Sequence, residues 1–179
     1  MFSLLLKILP QSKRWSSKHN DYYQAAFKRI RQARDIYPQD SSLAFSMNHH
    51  PLAYYHSGVA VECLLRAFIT LRTKEFNGRH DLILLLDESA LLNLESHPGL
   101  DSESQEKLKR ELGGAVQLVN RLWNNSLRYA SEARIRAHLH EMGFDWGIKG
   151  EPLKENLCRL PENSGRIIER GVLLWVLRS

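Results

Sequence analysis

Residues 51–74 read PLAYYHSGVAVECLLRAFITLRTK, and this stretch decides the fold. Tyr55, Val59, Glu62, Arg66 and Ile69 recur at threes and fours along one side of a helix. Leu52, Ala60, Cys63, Leu64, Ala67, Phe68 and Leu71 supply much of the remaining circumference. A helix that is apolar on most of its surface belongs in the middle of a bundle. Pro51 suits a first helical turn, where its missing N–H costs nothing. Gly58 costs about 1 kcal/mol relative to Ala in a helix interior. Its expected use is the close approach of a neighbouring helix.

The pattern extends in both directions. From Ser17, the residues Tyr22, Tyr23, Ala26, Phe27, Ile30, Ala33 and Ile36 form a second helical stripe, which Pro38 ends. Residues 1–15 read as an N-terminal arm that docks on the body, or as a short apolar piece touching a membrane surface. In MFSLLLKILP the charge follows the apolar run instead of preceding it, unlike a secretory signal. Downstream, Asn77-Gly78 marks a turn, and Asp81 is placed to cap a short helix through Leu86, extending at most to Leu94. His97-Pro98-Gly99 breaks the chain before a helix from about Ser102 to Trp123, where Gly113-Gly114 predicts a bend. Glu132–Glu141 forms a further short helix ended by Gly143. Gly147, Gly150 and Pro152 punctuate a connector. A short helix over Leu153–Leu160 and a last helix over Arg166–Leu177 are expected on either side of Pro161 and Gly165. No period-2 alternation and no internal repeat is present. The expectation is one all-α domain over residues 16–179, an up-and-down helical bundle of four or five main helices with short additional ones.

Composition narrows the function classes. A chain of 179 residues can bury a sizeable core without staples but has no room for two large domains. Its longest apolar runs, such as Leu82–Leu86, fall far below the roughly 18 residues that span a bilayer. Cys63 and Cys158 are the only cysteines, which excludes a disulfide scaffold and a CxxC zinc or redox site. These features argue for a soluble, cytoplasmic domain. The net charge of +5 is unevenly spread. Residues 1–36 hold eight Lys/Arg against Asp21 and Asp35, whereas the rest holds 17 basic and 18 acidic residues. The basic segment either steers a polyanion or is a solvated helix face.

AYYHSGVAVECLLRAFI, followed by FNGRHDLILLLDES, resembles the HEPN family, the nucleotide-binding domain shared by higher eukaryotes and prokaryotes. That family carries a glutamate and, one turn on, a basic residue in its long central helix, here Glu62 and Arg66. A His-Asp-Leu triplet then opens the next helix, here His80, Asp81 and Leu82. The segment LWNNSLRYAS, with Trp123, Arg128, Tyr129 and Ser131, resembles an element of one branch. The resemblance covers roughly Tyr22 to Leu177 and is strong over residues 54–86. It implies a helical domain that commonly forms a homodimer and acts in RNA cleavage, toxin–antitoxin pairs or antiviral defence, with a nucleotidyltransferase or antitoxin as protein partner. Nuclease branches resemble one another in an Arg-x4-6-His motif near the C-terminal helix. Arg134 and His140 meet that spacing, but Ile135 stands where a polar residue is usual, and the motif precedes a Gly-rich connector.

The candidate residues each carry two readings. A metal-independent ribonuclease needs a group to position the 2′-OH and a cation to stabilise the phosphorane. Arg134 and His140 supply those types, yet six residues turn a helix by about 240° beyond one full rotation, placing them on different faces. Arg134 and His138, four apart, share one; with Arg136 these residues otherwise form a solvated face. Glu62 and Arg66 stand in the favourable i, i+4 order and form either a structural ion pair or a ligand site. His80 and Asp81 either bind a ligand, or bond back to Glu62 and cap the third helix. His56 reads as a hydrogen-bonded interior or rim histidine. His49-His50 beside it lacks the acidic or thiol ligands of a metal site, and no cofactor motif is present. The loop Asp145–Gly150 either cradles a phosphate through its amides and Lys149, with Trp146 stacking on a base, or uses Trp146 as a hydrophobic peg. Three functions fit: a non-catalytic dimeric module binding a nucleotide, RNA or protein; a metal-independent endoribonuclease; and a purely structural interaction protein. The first is preferred, with Arg128 added to its ligand-binding residues.

Overall fold

The computed structural model describes residues 18–36, 50–75, 78–93 and 100–178. Helix α1 spans Lys18–Ile36, α2 His50–Thr73, α3 Leu82–Ser89, α4 Ser102–Leu122, α5 Glu132–Glu141 and α6 Pro152–Arg178. A 3-10 turn, Asn125–Tyr129, joins α4 to α5. No strand occurs among the described residues, which form an all-α helical bundle. The expected arm at 1–15, the Pro38 stop, His49 and the His97–Gly99 break lie outside them.

Helix α2 is the centre of the bundle, as its all-round apolarity predicts. Every residue from Ala60 to Thr70 is buried. It packs chiefly on α1, then on α6 and α3. The stripe Tyr23, Ala26, Phe27, Ile30 and Ala33 is the buried face of α1. Trp175 of α6 ties three helices together. It stacks on Tyr23 at 4.7 Å between centroids and meets Phe68 of α2 edge-on at 5.1 Å. Such pairs add about 0.5–1.5 kcal/mol each beyond the area they bury.

Gly58 admits a close neighbour, but that neighbour is a side chain and not a helix backbone. The indole of Trp123, at the C-terminal cap of α4, lies where a Cβ would sit, 2.1 Å from its Cδ2. Gly171 of α6 is similarly tight, since a Cβ there would come within 2.5 Å of Leu64 Cδ2. Three helix starts are capped by side chains, that of α3 by the predicted Asp81. Asp81 accepts from the amides of Ile83 and Leu84 at 2.9 and 3.1 Å, and Asp101 from Ser104 at 2.7 Å. Ser131 accepts from Arg134 at 3.3 Å. Helix α3 runs past Leu86 to Ser89 and stops at Ala90, whose φ of 51° breaks the helical path before Leu94.

One expectation is corrected. The pieces expected at Leu153–Leu160 and Arg166–Leu177 are one helix, α6, with Pro161 inside it. An interior proline costs about 3 kcal/mol through its lost N–H and ring clash. Here Leu153, Leu157 and Leu160 before it, and Ile167, Ile168, Val172 and Trp175 after it, are all buried in the same core. Packing on both sides holds the helix through the defect. Helix α4 continues through Gly113-Gly114, with Leu108 and Leu112 before the pair and Val116 and Val119 after it buried. No described helix is long and apolar enough to cross a membrane.

Candidate functional site

The residues singled out by sequence fall in separate places. The first is the buried polar group on α2. Glu62 and Arg66, one turn apart, form an ion pair with side chains only 5% and 10% exposed. The other carboxylate oxygen, Glu62 Oε2, accepts from His80 Nδ1 at 2.9 Å, and Arg66 donates to the Arg79 carbonyl at 2.8 Å. Asp81, the next residue, caps α3. The chain entering α3 is therefore fastened to the central helix by one carboxylate and one guanidinium. The side chain of His80 is 46% exposed, so the group reaches solvent only through its imidazole. Tyr22 of α1 lies within electrostatic reach; burial raises its hydroxyl pKa and the Arg66 charge opposes that rise.

His56 is a buried, hydrogen-bonded histidine, as expected. Its Nδ1 lies 3.1 Å from the Arg29 guanidinium of α1, which only a neutral imidazole can accept from. Burial and the Arg29 charge both lower its pKa below the usual histidine value. Arg29 is thus turned inward, while Lys28 and Arg31 of the basic segment stay exposed.

The second place is the run from Arg128 to Lys149. Its four basic candidates do not share one solvated face, and Arg134 and His138 do not share an environment. Ile135, His138 and Leu139 form the buried face of α5, with the His138 Nε2 3.1 Å from the Arg121 carbonyl. Arg134, Arg136 and His140 are exposed. Burial at positions i, i+3 and i+4 leaves Arg134 just outside the face that takes His138 inward.

His140 holds a partner that the sequence reading missed. Its Nδ1 donates to Asp145 Oδ2 at 2.6 Å, across the turn made by Gly143 at φ 71°. The five-residue spacing around a glycine was the available signal. The hydrogen bond and charge of Asp145 raise the His140 pKa, and the same bond lowers that of Asp145. Arg136 pairs with Glu132 at 3.5 Å and with Glu151, the residue before α6. Partial burial works against ionised Glu151, but Arg136 and the amides of Lys154 and Leu153 hold its pKa low.

Trp146 is not a peg. It is 80% exposed, and Phe144 takes the anchoring role, 9% exposed with the Arg121 guanidinium 4.8 Å above its ring. Tyr129 is 86% exposed. Arg128 lies 5.2 Å from the Tyr129 ring and 5.8 Å from that of Tyr55. Lys149 is exposed between Gly147 and Gly150, both at positive φ.

Chemically, the buried group spends both oxygens of its carboxylate on Arg66 and His80. The 3-10 turn before α5, the α5 surface and the turn after it present two open aromatic rings, several cations and one histidine oriented by a carboxylate. No cluster of three or more His, Cys, Asp or Glu able to hold a metal occurs among the described residues. No family model, no curated protein and no solved structure matches the chain.

Proposed function

We propose that the chain is a HEPN-like module that works as a homodimer and binds RNA or a nucleotide without cleaving it. One observation carries the binding half of this reading. Tyr129 and Trp146 are 86% and 80% exposed, far beyond any other exposed large hydrophobic described, and each has a cation nearby in sequence, Arg128 or Lys149. A ring that open contributes nothing to the core. Base stacking on such rings beside cations is a recurrent, sequence-tolerant way to hold single strands. The family reading is supported by the long central helix, by Glu62 and Arg66 paired within it, and by His80 folded back onto Glu62. In this reading a nucleotidyltransferase or antitoxin is the protein partner, and the site of action is the cytoplasm. Absence of catalysis is argued from α5. His138 is spent on a backbone carbonyl inside the core, so Arg134 has no exposed histidine one turn away.

The test is fluorescence anisotropy of labelled single-stranded RNA over a salt series. Trp146→Ala and Tyr129→Ala should each weaken binding by about 1–3 kcal/mol, with melting unchanged because neither ring is buried. Affinity unaltered in both variants would overturn the reading. The endoribonuclease reading has one observation of its own, the His140 imidazole oriented by Asp145. RNA cleaved in EDTA, with cleavage lost in both Arg134→Ala and His140→Ala, would establish it instead.

A further inference from the structure

A groove of about 400 Å³ runs between α5 and the start of α6, lined by Arg136, Ala137, Leu139, His140, Asp145, Pro152 and Leu153. Its size lies within the range of small-molecule sites. Its accessible apolar lining is Ala137 and Pro152, over the buried Leu139 and Leu153, while its charged groups are already answered. Arg136 bonds to Glu132 and Glu151, His140 bonds to Asp145, and the first amides of α6 bond to Glu151. Three carboxylates thus surround one guanidinium and one imidazole. A phosphate entering here would meet a field that is neutral at best and would have to displace Glu151 from the helix start. A flat ring without net charge, with apolar faces and a polar edge, meets no such obstacle.

The histidine supplies the polar contact for that edge. With Nδ1 committed to Asp145, Nε2 is the nitrogen left to meet a ligand, on a side chain 72% exposed. Protonated, Nε2 donates to a ring carbonyl or ring nitrogen; neutral, it accepts from an amino group. One imidazole held in place therefore serves both kinds of base edge.

We infer that this groove is a nucleobase subsite, in which the base lies against Pro152 and Ala137 and its edge is read by His140 held on Asp145. The inference rests on the nucleic-acid-binding reading above and names the part of the ligand that the groove takes. The same chemistry comes from an unpaired base in RNA or from a free nucleoside. Asp145 is a positioning residue here, not a contact.

The experiment follows the imidazole resonances of His140 by NMR in the full-length protein. It is titrated with adenosine, uridine, inorganic phosphate and a short single-stranded RNA. Adenosine and uridine should move the His140 signals, and inorganic phosphate alone should leave them in place. Ala137→Trp fills the groove from an exposed position, and should weaken nucleoside and RNA binding by about tenfold or more. Asp145→Asn should also weaken it and lower the His140 titration point. No nucleoside response at about 10 mM, a concentration well above a millimolar Kd, would overturn the subsite. Phosphate displacing RNA from His140 would do the same in favour of an anion site. RNA binding undiminished in Ala137→Trp would remove the subsite and leave the module reading intact. A nucleoside response in a protein that binds no RNA would keep the subsite, as one for free nucleosides, and remove the RNA reading.

Discussion

Glu62–His80 and Asp145–His140 are the same chemical pair in two settings. Each joins a carboxylate to the Nδ1 of a histidine, at 2.9 and 2.6 Å. The Glu62 side chain is 5% exposed and also holds Arg66, so its pair fastens α3 to the central helix. The Asp145 side chain is 27% exposed and its histidine 72%, so that pair shapes a turn and presents an imidazole to solvent. Burial, more than bond length, separates a residue that holds the fold from one free to meet a ligand.

The largest expected effect breaks the comparison on its buried side. Glu62→Gln leaves the Arg66 guanidinium inside the bundle without its carboxylate, and should cost about 3–5 kcal/mol in denaturant melts. Arg66→Met should cost a similar amount, and the double variant should recover part of it because no lone charge remains. Near-native melts for both single variants would show that the group serves a ligand and not the fold.

A smaller effect sharpens the comparison through pH. The His56 pKa is lowered by burial and by Arg29, so the unfolded chain takes up its proton first as pH falls. Stability contributed by neutral His56 is present above the ordinary histidine value and is lost as pH drops below it. His140 has the opposite sign. Its pKa is raised by Asp145, so its contribution is present below the ordinary value and fades as pH rises through the raised one. Ring NMR titrations should place His56 below the ordinary value and His140 above it. Asp145→Asn should bring His140 back down while leaving His56 where it is. Coincident titrations would remove the contrast.

The smallest effect is on the exposed side. His140→Ala should leave the melting transition within experimental scatter, since its side chain is 72% exposed. Asp145→Asn, at a side chain 27% exposed, should cost little more. A marked loss in either would mean that the turn after α5 is held by this pair, and that the two settings differ less than burial suggests.

Much of the buried pair could be read in advance. Glu62 and Arg66 lie one turn apart on an apolar helix, where separate burial is costly, and His80 directly precedes a capping Asp81. The exposed pair was half readable: His140 stood out by type, but Asp145 was seen only as part of a Gly-rich loop. Which loop residue folds back depends on the path after Gly143, whose positive φ is a property of the turn in place. The two readings of Trp146 stay open in the sequence for a related reason. Apolar character marks a candidate for burial, and with Phe144 two residues away, only the space under the connector selects which ring enters.

The sequence by itself determined the helices and most of their ends, because periodicity and caps act over three or four residues. Asp81, Asp101 and Ser131 bind amides of their own first turns, and α2 is apolar all round whatever surrounds it. Tertiary structure decided what depends on surfaces distant in sequence. The core on both sides of Pro161 holds α6 as one helix, the space above Gly58 receives the Trp123 ring, and the carbonyl of Arg121 draws His138 inward while His140 faces out. Each turns on which surface lies within a few ångströms, and that distance is set only when the helices pack.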